Sequence, residues 1–222
     1  MFRSIIVAIC LLSASSSYAG VLEAIQSVCK LQDMKGKDIG SGAVYREDKE
    51  YLYVITAGHV LEPLKTDDCQ CVFYPNGRPL AAVPAVIETR DYVKPIRYSK
   101  DIEVNDLATL RVSKSKFKSP NDYPKAVPLA GPDTSIKVDD SILSIGCSGP
   151  YAPLHYPSMF NGYVSELVGN TYYIQPNLIE GRSGSAVFDK TGERIIGVAI
   201  WRSNWGGRII GPKSIFQHLV EE

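Results

Sequence analysis

The chain has 222 residues, with 24 basic and 24 acidic side chains, and its formal net charge is zero. The chain has no excess of basic side chains that would bind nucleic acid, and we expect no partner of that class. Hydrophobic residues make up 45% of the chain, enough for one substantial core or two small ones. A disordered chain and a coiled coil are both disfavoured.

Residues 1–19 have the order of a secretory signal peptide. Arg3 precedes an apolar run from Ile5 to Leu12, and small polar residues lead to Ala19 before Gly20. We expect cleavage after Ala19 and export to a periplasm or out of the cell. The alternative, a membrane anchor, needs about 20 apolar residues, more than this run provides, and we expect no membrane span after the leader is removed.

The cysteines bear on export, because disulfides form in oxidising compartments. Cys10 lies in the leader, and Cys29, Cys69, Cys71 and Cys147 follow it. One or two disulfides are expected, with the pairing open, although Cys69 and Cys71 are too close in an extended segment to pair together. A zinc site is the alternative, but a Cys-x-Cys without a second close pair or a nearby histidine is a weak metal signal. We therefore expect neither a metal nor a cofactor.

The first half of the chain predicts a short helix or turn followed by strands. Between Gly20 and Lys35, the apolar residues Leu22, Ile25 and Val28 are spaced three apart, which favours the helix or turn. Runs of β-branched and aromatic residues bounded by turn signals then predict strands. These runs are Ile39–Arg46, Glu50–Thr56, Cys71–Tyr74, Leu80–Thr89 and Asn105–Val112.

The lysine- and serine-rich segment Ser113–Asp122 predicts a solvated linker between two comparable halves. Strands are predicted after it at Ala126–Leu129, Ser141–Gly146, Gly162–Val168, Tyr172–Gln175, Ala186–Asp189 and Arg194–Trp201, with a final helix from Pro212 to Glu222. About a dozen short strands and little helix are typical of an all-β protein built from barrels or sandwiches.

One segment has the pattern of a nucleophile loop. In Gly181-Arg182-Ser183-Gly184-Ser185, glycines on both sides of Ser183 allow a tight bend that exposes its hydroxyl. A serine hydroxyl attacks a carbonyl only with the help of a base and an orienting acid.

The candidate base is His59, which follows a predicted buried strand through small residues, and the candidate acid is Asp106, which opens an apolar strand. His155 and His218 lie in a proline-rich loop and in the predicted terminal helix, and we assign them structural roles.

Three segments in the order His, Asp, Ser resemble the chymotrypsin-like (trypsin-like) serine proteases, and most closely the bacterial proteases of the HtrA kind. They are Thr56–Val60, Asp106–Leu110 and Gly181–Ser185, with further matches at Gly40–Gly42, Ser144–Gly146 and Gly162–Ser165. The resemblance extends over roughly Ile39 to Val220. It implies a double β-barrel with a short C-terminal helix: one protease unit over residues 20–222, a first barrel over about 37–115, a second over about 125–211, and a helix over 212–222.

The resemblance also implies a function, that of a secreted serine endopeptidase acting on a peptide or protein. Ser183 would form the acyl-enzyme, His59 would serve as general base and acid, and Asp106 would orient the imidazole. The backbone N–H groups of Gly181 and Ser183 would form the oxyanion hole.

Two residues of the serine loop depart from the family pattern. Ser185 stands where the family usually has a second glycine, and it is the competing nucleophile. Arg182 stands where trypsin-type members carry an aspartate that pairs with the newly freed N-terminus during zymogen activation. Because an arginine cannot accept that amine, activation of this type is not expected.

The resemblance places the primary substrate pocket around Asn177, Leu178, Ala199, Ile200, Trp201 and Arg202. Asn177 lies where trypsin has an acid, so a basic substrate side chain has no charge to pair with. Arg202 either obstructs the pocket or attracts an acid. We therefore predict a small or acidic residue before the cleaved bond.

Three other functions fit parts of the sequence. A catalytically silent barrel could bind peptides in the same cleft, and an exported β-domain could serve in structure or adhesion. The same nucleophile could also hydrolyse esters. The oligomeric state is left open.

Overall fold

The computed structural model describes residues 18–92, 106–147, 156–169, 171–175, 178, 181–203 and 206–220, with the backbone alone for Asn76 and residues 201–203. Twelve strands in these parts of the chain form two closed barrels of six strands each. The chain is therefore mostly β, which confirms the predicted double barrel with a short C-terminal helix.

The first barrel contains strands β1 to β6 in the order β1-β2-β3-β6-β5-β4, and all neighbouring strands are antiparallel. Their bounds are β1 Val28–Gln32, β2 Asp38–Glu47, β3 Tyr51–Thr56, β4 Asp68–Phe73, β5 Val83–Tyr92 and β6 Asp106–Ser113. The pairing of β3 with β6 brings the end of one strand beside the start of the other, since Thr56 lies opposite Ala108.

The second barrel repeats this path with strands β7 to β12 in the order β7-β8-β9-β12-β11-β10. Their bounds are β7 Ser141–Cys147, β8 Pro157–Val168, β9 Thr171–Gln175, β10 Ala186–Asp189, β11 Ile195–Ser203 and β12 Gly206–Ile210. Each closed barrel leaves no free sheet edge.

Three α-helices lie outside the barrels in the described residues. Helix α1 occupies residues 18–27, α2 is the single turn Gly58–Leu61, and α3 is Pro212–Val220. Short 3₁₀ turns occur at Pro75–Gly77, Lys114–Lys116 and Pro120–Asp122.

The apolar side chains form one core in each barrel and a third cluster at the seam between them. Leu31, Leu52 and Leu110 are among the residues that fill the first barrel, and Val164 and Ile209 are among those that fill the second. At the seam, Ala24 of α1, Val28 and Ala43 pack with Phe188 and Ile195 of the second barrel. Helix α1 is thus part of the contact between the barrels.

The helix or turn predicted before Ile39 is confirmed by α1, but β1, which follows it, was not predicted. Val28–Gln32 is almost continuously buried and shows no alternation that would mark a strand. One predicted strand is wrong. No strand forms at Ala126–Leu129, where only Leu129 makes an isolated bridge, to Ile195. Pro128 lacks the backbone N–H that a continuous ladder requires.

Cys29, Cys69, Cys71 and Cys147 are all buried as free thiols, so the structure contains none of the expected disulfides. Burial raises the pKa of Cys147 to about 12, mainly because the charged thiolate would lose its hydration. In the described parts of the chain, no helix combines the length and the apolar character that crossing a membrane requires.

Candidate active site

His59 and Asp106 meet at the open end of the first barrel. Asp106 is the first residue of β6, and His59 lies in α2, directly after β3. The Nδ1 atom of His59 is 2.8 Å from Oδ2 of Asp106, and the backbone N–H of His59 donates to Oδ1 at 2.7 Å. Both carboxylate oxygens therefore hold the same histidine. With the proton on Nδ1 donated to Asp106, Nε2 remains able to accept one.

The exposures of the two side chains suit a buried acid and an accessible base. The Asp106 side chain is 6% exposed and that of His59 is 25% exposed. A carboxylate shielded from water interacts more strongly with an imidazole than one at the surface. The imidazole can still be reached from the cleft.

The turn that carries His59 depends on Gly58. A Cβ atom at Gly58 would lie 2.0 Å from the backbone oxygen of Asp91 and 3.1 Å from that of Leu107. Strand β5 therefore passes too close for any side chain here. The next residue of β5, Tyr92, lies opposite Asp106, and its ring centre is 5.9 Å from that of His59. Burial raises the pKa of Tyr92, with smaller effects from Glu62 and Asp106.

The serine loop bends through two residues in the left-handed region of φ. Gly181 has φ of 85° and Gly184 has φ of 80°, conformations that favour glycine. The N–H of Gly184 donates to Ala199 O at 2.7 Å, and that of Ser185 donates to Arg182 O at 2.9 Å. The loop is thereby held against β11.

The two serines of this loop differ in exposure. Ser183 is half-buried, whereas Ser185 is 0% exposed and its Oγ has no hydrogen-bond partner among the described residues. The Ser185 hydroxyl points into protein, where no substrate can reach it. This burial favours Ser183 over the competing assignment.

Ser41 of β2 ties the serine loop to the first barrel. Its N–H donates to Ser183 O at 2.9 Å, and its hydroxyl donates to Gly181 O at 3.1 Å. The Ser41 carbonyl in turn accepts from the hydroxyl of Thr56, at the end of β3, at 2.7 Å. These bonds lead from the loop to the strand that ends beside His59.

Gly40 lies between the His59 turn and the serine loop. A Cβ atom at Gly40 would be 2.7 Å from Val60 Cγ1 and 3.0 Å from Ser183 O. The close approach requires a residue without a side chain. The structure thus brings the segments that carry the three candidate residues together where the barrels meet.

The residues predicted to line the substrate pocket lie in different settings. Ala199 and Ile200 are buried in β11, and Ala199 bonds the serine loop through both its N–H and its C=O. Leu178 is buried against Gly207, where a Cβ would be 2.5 Å from Leu178 Cγ. Asn177 lies outside the described residues, as do the side chains of Trp201 and Arg202.

Sequence reasoning did not find Tyr92, Gly40 or Ser41 as parts of this site. Gly40 and Ser41 belong to a glycine-rich strand entry that matches the family pattern without marking a role in the site. Tyr92 carries no local signal that separates it from other strand tyrosines. Among the described residues no group of three or more His, Cys, Asp or Glu side chains could hold a metal ion.

Comparison with known structures shows that the fold is shared. Two solved structures share the fold: Deg5, with a TM-score of 0.63, 19% identity and coverage of 92% of both chains, and the serine endoprotease from Yersinia pestis, with a TM-score of 0.65 and 20% identity. The second match covers 93% of this chain but 65% of the Yersinia chain. No curated protein sequence matches.

The family assignment comes from the sequence of residues 40–198, which match the family described as "Trypsin-like peptidase domain". This match spans most of the chain, from β2 of the first barrel into β11 of the second. It confirms the resemblance to chymotrypsin-like serine proteases. The chain therefore belongs to the trypsin-like peptidase domain family, a family of serine proteases.

Proposed function

We propose that the protein is an exported serine endopeptidase that hydrolyses peptide bonds through an acyl-enzyme on Ser183. The observation that carries the proposal is the His59–Asp106 pair, in which one buried carboxylate holds both the ring and the backbone of a partly exposed histidine. Because Asp106 takes up Nδ1, Nε2 is the ring nitrogen left to accept a proton from a nucleophile. The tethering of the serine loop to the same cleft supports the proposal.

In the proposed reaction Ser183 Oγ attacks the peptide carbonyl while His59 Nε2 takes its proton. The resulting imidazolium is stabilised by Asp106, which stays ionised. His59 then gives the proton to the leaving amine as the C–N bond breaks. A water molecule, deprotonated by the same Nε2, attacks the acyl-enzyme and releases Ser183 with its proton restored.

The oxyanion hole in this proposal consists of the N–H groups of Gly181 and Ser183. The carbonyls of Gly181, Arg182 and Ser183 all accept hydrogen bonds within the protein. No described residue accepts from the N–H of Gly181 or Ser183, and we propose that both donate to a substrate oxygen. Each such donor contributes roughly 3 kcal/mol to stabilisation of the transition state in comparable enzymes.

For specificity we propose a small or acidic residue before the cleaved bond, taken by a pocket around Asn177, Leu178, Ala199, Ile200, Trp201 and Arg202. The packing of Leu178 onto Gly207 supports the small size, because the side chain occupies space beside the residue that pairs with Arg202. Cleavage of a peptide library read by mass spectrometry tests this proposal. A majority of cuts after Lys or Arg would contradict it.

The endopeptidase proposal is tested with a fluorophosphonate probe and labelled casein. We expect the wild-type protein to be labelled on Ser183 and to cleave casein, and we expect Ser183→Ala and His59→Ala to lose both properties while keeping the wild-type melting temperature. Ser185→Ala is the matched control, since this serine is buried beside the nucleophile. A folded wild-type protein that takes up no probe would favour the alternative, a silent barrel that binds peptides.

If the protein is exported to an oxidising compartment, a disulfide can form there between two of its cysteines. The thiols of Cys29 and Cys71 hydrogen-bond to each other between the neighbouring strands β1 and β4. We assign this pair as the one that a disulfide oxidant of an exporting compartment would couple, taking two electrons and two protons. Mass spectrometry of the exported protein without reductant tests this. A crosslink involving Cys69 or Cys147 instead would contradict the assignment.

A further inference from the structure

Arg182 is a charged side chain in a place where charge is costly. It directly precedes Ser183, and it is 0% exposed. None of the ion pairs among the described residues includes it. Burying a guanidinium without a carboxylate costs several kcal/mol unless hydrogen bonds compensate. An apolar side chain would fill the same space at lower cost, so the charge points to a role other than stability.

Arg182 is held by two neighbouring strands of the second barrel. Nη1 donates to the backbone oxygen of Ser144 at 3.1 Å and to its hydroxyl at 3.3 Å. Nη2 donates to the backbone oxygen of Ser158 and, at 2.5 Å, to its hydroxyl. The planar fork thus bridges β7 and β8, a geometry that a lysine cannot reproduce.

A third contact covers the guanidinium. Cζ of Arg182 lies 4.0 Å from the centre of the Phe160 ring, a cation–π arrangement. Desolvation lowers the pKa of Arg182 to about 10, which still leaves the group charged at neutral pH. The four polar contacts and the stacked ring therefore fix a charged group in one orientation.

The backbone of Arg182 lies between the two proposed oxyanion donors. Gly181 and Gly184, on either side, have positive φ and gain conformational freedom if the loop is released. The loop is tied to the first barrel through Ser41, and to the second barrel through β11 and the Arg182 side chain. Of these anchors, the Arg182 side chain is the one on the residue whose carbonyl forms the peptide unit with the N–H of Ser183, and Arg182 directly follows Gly181.

We propose that Arg182 is a positioning residue that holds the N–H groups of Gly181 and Ser183 in the geometry that stabilises the oxyanion. The inference rests on the proposed function of Ser183. In trypsin-type members, an aspartate that pairs with a cleaved N-terminus orders the loop before the nucleophile. In this protein we assign that ordering to Arg182, which binds hydroxyls and carbonyls of β7 and β8. The loop is then ordered in the uncleaved protein.

The test is the rate of Ser183 labelling by a fluorophosphonate probe, whose phosphoryl oxygen occupies the oxyanion hole. For Arg182→Met we expect the maximal labelling rate to fall about 100-fold, as on loss of one oxyanion donor. The probe concentration at half-maximal rate should stay within about threefold, since probe binding does not need the donors. A purely structural role would lower the melting temperature without changing the rate of the folded protein.

Arg208→Met is the matched control. Arg208 is a half-buried arginine of the same barrel that lies on β12 and contacts Thr171 and Tyr173 of β9 with its side chain. We expect this variant to lose stability but to keep the wild-type labelling rate. An equal loss of rate in Arg208→Met and Arg182→Met would overturn the proposal, and so would a wild-type rate in folded Arg182→Met.

A second variant covers the case in which Arg182→Met does not fold. The double variant Ser144→Ala/Ser158→Ala removes both hydroxyl acceptors and leaves the charge and the two carbonyl acceptors in place. We expect it to fold and to be labelled about 10-fold more slowly. An unchanged rate would reject the positioning role. If the wild-type protein itself is not labelled, the proposed function of Ser183 is wrong. If the wild type is labelled and the variant is labelled at the same rate, only the positioning role of Arg182 is wrong.

Discussion

At the scale of single residues, Asp106 is the group whose chemistry is hardest to replace. Its two oxygens accept from Nδ1–H and from the backbone N–H of His59. An amide at this position can accept only through its oxygen, and its NH₂ group favours the wrong tautomer of the imidazole.

We therefore predict that Asp106→Asn lowers the rate of casein cleavage by about 10³- to 10⁴-fold with a small change in stability. Initial rates and thermal unfolding measured on the same preparation check this. Asp133→Asn, a change at an exposed acid, is the control and should match the wild type. Full activity of Asp106→Asn would remove the orienting role of this residue.

Ser185, the second serine of the serine loop, is matched by Gly146 on the neighbouring strand β7. A Cβ at Gly146 would lie 1.7 Å from Ser185 Oγ and 2.7 Å from Ser185 Cβ, whereas the next atom, Ser41 Oγ, is 3.3 Å away. Gly146 and Ser185 thus share one space. The family has a glycine at position 185, and the absence of a side chain at Gly146 leaves room for the serine that this chain has there.

This pairing predicts a coupled double mutant. Gly146→Ala alone should destabilise the protein by about 2–3 kcal/mol through overpacking, and Ser185→Gly should restore most of that loss because it removes both clashing atoms. Chemical denaturation of the wild type, the two single variants and the double variant gives the coupling energy. Additive losses would show that the two positions do not share the space.

At the scale of elements, helix α3 returns from the second barrel and docks onto the first through His218. Nδ1 of His218 lies 2.9 Å from Asp91 Oδ2, and Nε2 lies 2.9 Å from the hydroxyl of Thr89. Both partners belong to β5, the strand that passes beside Gly58 and ends at Tyr92. The helix thus supports the strand that lines the His59 turn.

We predict that His218→Ala destabilises the protein by about 1–3 kcal/mol, since it leaves Thr89 and Asp91 without a partner in the helix. Hydrogen exchange should show faster opening of α3 and of the end of β5. Gln217→Ala, an exposed change on the same helix, should alter neither. Unchanged exchange in β5 of His218→Ala would show that the helix does not support that strand.

Much of the strand pattern could be predicted because alternation and turn residues are local signals. Strand β1 could not, since it is buried along nearly its whole length and even Lys30 is inside, paired with Asp38. The candidate site follows the same division. His59, Asp106 and Ser183 stand in recognisable local patterns, whereas Tyr92 and Ser41 reach the site only through strand pairing and the contact between barrels, which local sequence does not reveal.

At the scale of the whole molecule, the two barrels repeat one strand order and meet at a seam that is partly polar. Ser41 crosses this seam to Gly181 and to Cys147, whose N–H and C=O both bond the Ser41 hydroxyl. Apolar residues such as Val28 and Phe188 pack together in the remainder of the seam. The relative placement of His59 and the serine loop therefore depends on this seam.

The seam contains a buried thiol that makes the stability of the whole molecule depend on pH. Burial raises the pKa of Cys147 to about 12 from an ordinary value of 9.0. A thiol whose pKa is higher in the folded than in the unfolded state stabilises the fold fully below the unfolded pKa. This contribution is lost as the pH rises toward the folded pKa, because the unfolded chain releases a proton that the folded chain retains.

We accordingly predict that the free energy of unfolding decreases between about pH 9 and pH 12, and that Cys147 contributes roughly 1 kcal/mol per pH unit to this decrease. Urea unfolding of the reduced wild type and of Cys147→Ala across this range measures the difference between their slopes. Cys69 and Cys71 also have raised pKa values, Cys71 through a hydrogen bond to Cys29 and burial and Cys69 through burial, and both cancel in the comparison because they are common to the two proteins. The measured difference includes Tyr74, whose pKa is raised by burial and by its contact with Cys147. Equal slopes would show that the thiol at the seam ionises as readily in the folded as in the unfolded chain, and that water reaches the contact between the two barrels.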